Sequence, residues 1–174
     1  MARKTLLTVA AMMTLSLIAF AAAKPNFGGT WTMDRARSFG LPADMNQTIT
    51  IVQKDDNQLE VETKLIQPNN ERTVKDTYVL DGKEYDFTPL VPPNAPPAKG
   101  KRTAVWLPGD RGIQVTDVAT VETPKGPTQT QTVRKLTISG QGELVIDMYV
   151  DNPNISYEAK RIFVRSEPQI IRIL

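Results

Sequence analysis

The chain has 174 residues, so one domain is expected. It contains no Cys and no His, which excludes disulfides, Ser-His-Asp and Cys-His catalysis, and zinc held by His or Cys. The formal charge is +2, but Arg3 and Lys4 belong to the extreme N-terminus. Without them 19 basic residues face 19 acidic ones, and a neutral domain argues against nucleic acid as a partner.

Residues 1–23 read as a targeting segment. Arg3 and Lys4 form a basic start, Leu6 to Phe20 an apolar stretch, and Ala21-Ala22-Ala23 a cleavage site before Lys24. The expected product is a secreted or periplasmic domain spanning 24–165, with a tail at 166–174 and no stable membrane anchor after cleavage. No Cys follows the apolar stretch, so lipid attachment of the bacterial lipoprotein type is excluded.

Phe27-Gly28-Gly29-Thr30-Trp31-Thr32-Met33-Asp34 comes next. Two glycines permit close backbone approach, and an aromatic follows within a run of strand formers. This predicts a first strand with Trp31 plugging one end of a barrel. Residues 35–44 read as a loop with at most one helical turn, stopped by Gly40 and Pro42. From Gln47 onward apolar and polar residues alternate, and turn signals recur at the spacing of short antiparallel strands. About ten strands are expected, at 28–33, 47–53, 57–66, 71–80, 83–88, 100–107, 112–122, 128–139, 143–150 and 155–165. Thirteen Pro, ten Gly and no 3.6-residue apolar period beyond residue 23 suit an all-β chain rich in turns. A meander this long closes to remove its edges, giving an antiparallel up-and-down β-barrel of about 8–10 strands.

Turn chemistry sets the expected register. Asp81-Gly82 suits a two-residue type I′ hairpin, placing Leu80 opposite Lys83 and Tyr78 opposite Tyr85. The stretch Pro89 to Pro97 cannot be a central strand, because its prolines lack a donor. It is an extended connection or a lid over a barrel mouth. A turn at 124–127 pairs Val115 with Leu136 and Asp117 with Arg134. A turn at 140–142 pairs Ile138 with Leu144 and Arg134 with Met148. A turn at 151–154 pairs Val150 with Ile155 and Met148 with Tyr157.

Propagated along the chain, these pairings put Ile113, Val115, Leu136, Ile138, Leu144, Ile146, Met148, Val150, Ile155, Ala159 and Phe163 on one face. Leu59, Val61, Val74, Tyr78, Leu80, Tyr85 and Phe87 join them. This is the interior. Asp76, Asp117, Arg134 and Arg161 fall on it too, near Thr130, Thr132 and Tyr157. Buried charges must be paired or hydrated. These groups are therefore internal ion pairs in a packed barrel, or the wet lining of a hollow one. An interior Arg beside Tyr and Thr hydroxyls suits a carboxylate headgroup. The run Lys99-Gly100-Lys101-Arg102 reads as a solvated strand start or a basic patch at the mouth.

Gly29-Thr30-Trp31, the long meander and the basic last strand resemble the lipocalin-like (calycin) superfamily of small secreted bacterial domains, over roughly residues 26–165. The resemblance implies that Gly29 and Trp31 close one barrel end with a last-strand arginine, of which Arg165 is favoured because Arg161 points inward. A ten-stranded fatty-acid-binding-like barrel is the other relative, but Arg161 is followed by Ile162 and Phe163, not by that family's Arg-x-Tyr.

The expected function is interior binding of a small hydrophobic or amphipathic molecule, one bearing a carboxylate included, by a monomer. Arg134, Asp117, Arg161, Tyr157, Asp76 and Tyr78 are the ligand-contacting candidates. The alternative is a filled barrel serving as a structural or protein-interaction module. An enzyme using Asp76 and Asp117 ranks last, since an Arg facing Asp117 holds that group ionised. No catalytic residue, metal or cofactor is expected.

Overall fold

The computed structural model describes residues 23–89, 98–123 and 126–166, with residues 122 and 123 described in their backbone alone. Residues 1–22 of the expected targeting segment, the Pro-rich stretch beyond Pro89 and the tail beyond Ser166 lie outside the described residues.

Ten antiparallel strands form one nearly closed, barrel-shaped sheet. They are β1 (Gly29–Met33), β2 (Asn46–Asp55), β3 (Gln58–Gln67), β4 (Asn70–Val79), β5 (Tyr85–Phe87), β6 (Ala98–Trp106), β7 (Ile113–Thr123), β8 (Gly126–Ile138), β9 (Leu144–Asn152) and β10 (Ile155–Arg165). Each strand pairs with its neighbours in sequence except β4 with β5, and β1 pairs with β10, so the architecture is up-and-down. The one helical turn in the loop after β1 is Arg35–Arg37, capped by the Asp34 carboxylate, which accepts from the amides of Ala36 and Arg37. That hydrogen bonding, with the Arg37 side chain bound to the same carboxylate, holds the Asp34 pKa below the usual range, Arg37 being the larger cause.

Closure fails at one seam. β4 and β5 are the two edges of the sheet and do not pair, which corrects the Asp81-Gly82 hairpin expectation. Leu80 is not opposite Lys83, nor Tyr78 opposite Tyr85. The residues between the strands carry the chain across the seam instead. The Leu80 amide donates to the Asn57 carbonyl at 2.7 Å and the Gly82 amide to the Ala104 carbonyl at 3.0 Å. Asp81 accepts from the Lys83 amide and the Tyr85 hydroxyl, fixing a local turn that turns β5 onto β6.

Two other turns are tighter than expected. Val115 pairs with Arg134 and Asp117 with Thr132; Tyr157 pairs with Val150 and Ala159 with Met148. Each pairing is displaced by two residues because the strands continue into what the residue types suggested was turn. A two-residue slip preserves the face of every side chain. The 140–142 pairing is as read, with Ile138 opposite Leu144 and Arg134 opposite Met148. The only register irregularity among the described strands, at Gln53/Asp55, lies at the end of β2, where little chain remains to be inverted.

The core therefore has the expected composition. Phe27, Trp31, Leu59, Ile113, Val115, Leu144 and Phe163 are its fully buried large side chains, gathered toward one end. Ile155 and Tyr85 are exceptions. Ile155 keeps the inward parity but stands beyond the wall, 56% exposed, at the tip of the β9–β10 hairpin. Tyr85, opposite Arg102 on the edge strand β5, is 40% exposed with its hydroxyl on Asp81. Trp106 is a wall residue at the closed end. It tilts against Phe27 with ring centroids 6.1 Å apart, and its indole donates to the Asp56 carbonyl.

Candidate functional site

Above this core the interior opens. A cavity of about 390 Å³ is lined by all of Asp76, Tyr78, Asp117, Arg134 and Arg161, together with Thr130 and Thr132. A smaller and more enclosed lobe of about 40 Å³ lies among Ile49, Ile51, Val61, Leu136 and Ile146. Gln47, Thr63, Tyr78, Arg134 and Arg161 border both, so they form the neck between them. Leu65, Val74, Phe87, Pro89, Ala119 and Val121 complete the upper wall. Strand order places Leu65, Val74, Ala119 and Val121 nearer the mouth than Asp117, giving an apolar collar over a charged belt.

The centre of the belt is Arg102, expected from the sequence to belong to a solvated strand start or a basic patch at the mouth. Arg102 is 5% exposed. Its Nε and Nη2 donate to the two carboxylate oxygens of Asp117 at 2.6 and 2.9 Å, and its Nη1 donates to Asp76 at 2.6 Å. The guanidinium lies over the rings of Phe87 and Tyr78, at 4.3 and 4.9 Å from their centroids. Burial alone would lower its pKa; the Asp117 hydrogen bonds and the neighbouring negative charge outweigh that and raise it. The pattern that places Arg102 inside is the alternation Gly100, Arg102, Ala104 along β6, read against the ladder partners Ala119, Asp117 and Val115. Asp76 is on β4 and Arg102 on β6, so this ion pair also bridges the seam that no ladder closes.

Asp117 and Arg134 are not directly opposite, as the register slip requires, but Arg134 Nη2 reaches Asp117 Oδ2 diagonally. Arg134 is held within the wall, its side chain 22% exposed and its Nε buried without a partner. Arg161 has still less: Nη1 donates to Gln47 Oε1 at 3.0 Å, its Nε is buried without a partner, and no carboxylate among the described residues pairs with it. Burial, and then repulsion from Arg134, lower its pKa. Tyr157 departs from expectation. It has the inward parity, but the slip of the last hairpin carries it to the rim, 41% exposed and outside the cavity lining.

Gly29, Trp31 and Arg165 lie at the other end. Arg165 stacks on Trp31 at 4.4 Å from the ring centroid and donates to the Gly28 carbonyl at 2.7 Å.

Gly100 shapes the cavity through its missing side chain. A Cβ there would overlap the edge of the Phe87 ring that covers Arg102. Gly100→Ala should therefore displace Phe87 and cost about 1–3 kcal/mol, as overpacking does, measured by urea denaturation.

Among the described residues no group of three or more His, Cys, Asp or Glu is arranged to hold a metal ion. No family model matches the chain, and no curated protein is significantly similar to it.

Proposed function

We propose that this chain is an exported, lipocalin-like carrier that binds a small amphipathic molecule, carboxylate-bearing, inside its barrel. The observation that carries this reading is the cavity of about 390 Å³ with an apolar collar above a cationic neck. A filled structural barrel would need that space occupied by its own side chains. The stack of Trp31, Gly29 and Arg165 at the closed end and the strand order support kinship with the calycin superfamily. Binding is favoured over catalysis because Asp76 and Asp117 are both engaged by Arg102, leaving neither disposed to move a proton. The protein acts as a monomer in a secreted or periplasmic setting, without cofactor.

The test uses 1-anilinonaphthalene-8-sulfonate, a compact amphipathic monoanion whose emission rises in an apolar site. Saturable, one-to-one enhancement is expected. Arg134→Ala should weaken it by about tenfold, a loss of about 1.4 kcal/mol. The substitution spares the fold because Asp117 keeps both of its bonds from Arg102. Enhancement that never saturates, or that Arg134→Ala leaves unchanged, overturns the reading.

A further inference from the structure

The chemistry of the belt narrows the ligand further, on the premise that the interior cavity is the binding site. Three guanidiniums (Arg102, Arg134 and Arg161) and two carboxylates (Asp76 and Asp117) line it, so among the described residues one positive charge is uncompensated. That charge is localised. Arg102 is saturated by its two carboxylates, whereas Arg134 and Arg161 each keep a buried Nε without a partner and stand close enough to repel. Two cations sharing one neck are relieved by a single anion between them. A dianion would reverse the imbalance rather than remove it, and would face Asp117 at close range.

The walls around that neck are hydroxylic. Thr63, Thr130 and Thr132 line the cavity, and none of their hydroxyls makes a hydrogen bond to another described side chain or backbone group. An alkyl chain laid across them would strip their water and return nothing; ligand hydroxyls would replace it. The lobe beneath the neck, about 40 Å³, is too small to take a chain out of their way.

We propose that the ligand is a hydroxylated monocarboxylate, of the hydroxy-acid or sugar-acid class. Its single carboxylate bridges Arg134 and Arg161, and its hydroxyls meet the threonines. This rests on the interior-binding reading of the preceding section and replaces its apolar ligand body by a hydroxylated one, whose C–H faces meet the apolar collar of Leu65, Val74, Ala119 and Val121.

Displacement of 1-anilinonaphthalene-8-sulfonate from the full-length protein provides the test. D-gluconate and hexanoate have the same carbon count and charge and differ in hydroxyls; glucose 6-phosphate supplies a dianion. Gluconate should displace the probe at a concentration at least tenfold below either competitor. Arg161→Met should weaken gluconate at least tenfold while leaving the denaturation midpoint unchanged or raised, since it removes a buried charge that no carboxylate balances. Thr132→Val should weaken gluconate and not hexanoate. Hexanoate equal to or better than gluconate overturns the hydroxylated class, and glucose 6-phosphate equal to or better overturns the single charge. Both results leave interior binding standing. Failure of the probe itself to bind saturably removes the premise and this inference together.

Discussion

Arg102→Met should destabilise the barrel by about 3–5 kcal/mol in urea denaturation, because it leaves two buried carboxylates without their common counter-ion. Arg102 donates three hydrogen bonds to Asp76 and Asp117 from a position that is almost fully buried. Without it, Asp117 retains only Arg134, and Asp76 has no remaining partner among the described residues. The seam also loses its side-chain bridge between β4 and β6, keeping the Gly82–Ala104 backbone bond nearer the closed end. Asp76→Leu alone should cost less, since Arg102 keeps its bidentate hold on Asp117. The double variant Arg102→Met with Asp76→Leu should be more stable than Arg102→Met alone. Such non-additivity is the mark of a shared network rather than of two separate contacts. A loss below about 1 kcal/mol for Arg102→Met would mean that the pair is solvated like a surface bridge, and the belt would lose its standing as the centre of the site.

The contrast between Arg102 and Arg134 shows what the sequence discloses and what it withholds. Alternation of apolar and polar residues has period two, and every turn in the β6–β10 meander preserves that parity, so Arg134 and Arg161 were legible as inward-pointing despite two slipped registers. Arg102 was hidden because Lys99 and Lys101 flank it. Three basic residues in four look like a solvated run, and only the ladder partner Asp117 reveals that the middle of β6 is turned inward. The Asp81-Gly82 hairpin failed for a different reason. The dipeptide specifies a tight local turn, and the turn is there, but it does not specify which strand receives the returning chain. Whether the barrel is hollow depends on how the volumes of Thr63, Thr130, Thr132 and Ala119 add across three strands, and no local pattern reports that sum.

At the closed end the second large effect is expected from Trp31→Ala, a loss of about 3–5 kcal/mol, because a fully buried indole would leave a cavity its neighbours cannot fill. Phe27 and Phe163 are fully buried in the same core, and both are fixed by backbone. Phe27 receives the indole Nε1–H on its carbonyl at 2.9 Å, and Phe163 is held by the β10 ladder. Trp31→Phe should recover most of the loss and leave a deficit of about 1–3 kcal/mol, the cost of orphaning that buried carbonyl. Arg165→Met should cost about 0.5–1 kcal/mol, the worth of an exposed cation over a ring. Gly29 is constrained from both sides. Its φ of +133° lies outside the range of side-chain-bearing residues, and a Cβ there would come within 2.9 Å of Arg165 Nη1. Urea midpoints at constant m-value would establish this order, Trp31→Ala well above Trp31→Phe and both above Arg165→Met. If Arg165→Met instead matched Trp31→Ala, the guanidinium rather than the indole would be holding the end shut. The plug would then be an electrostatic clamp on the Gly28 and Asn26 carbonyls, which salt would weaken, and not a packed hydrophobic stopper, which salt would leave in place.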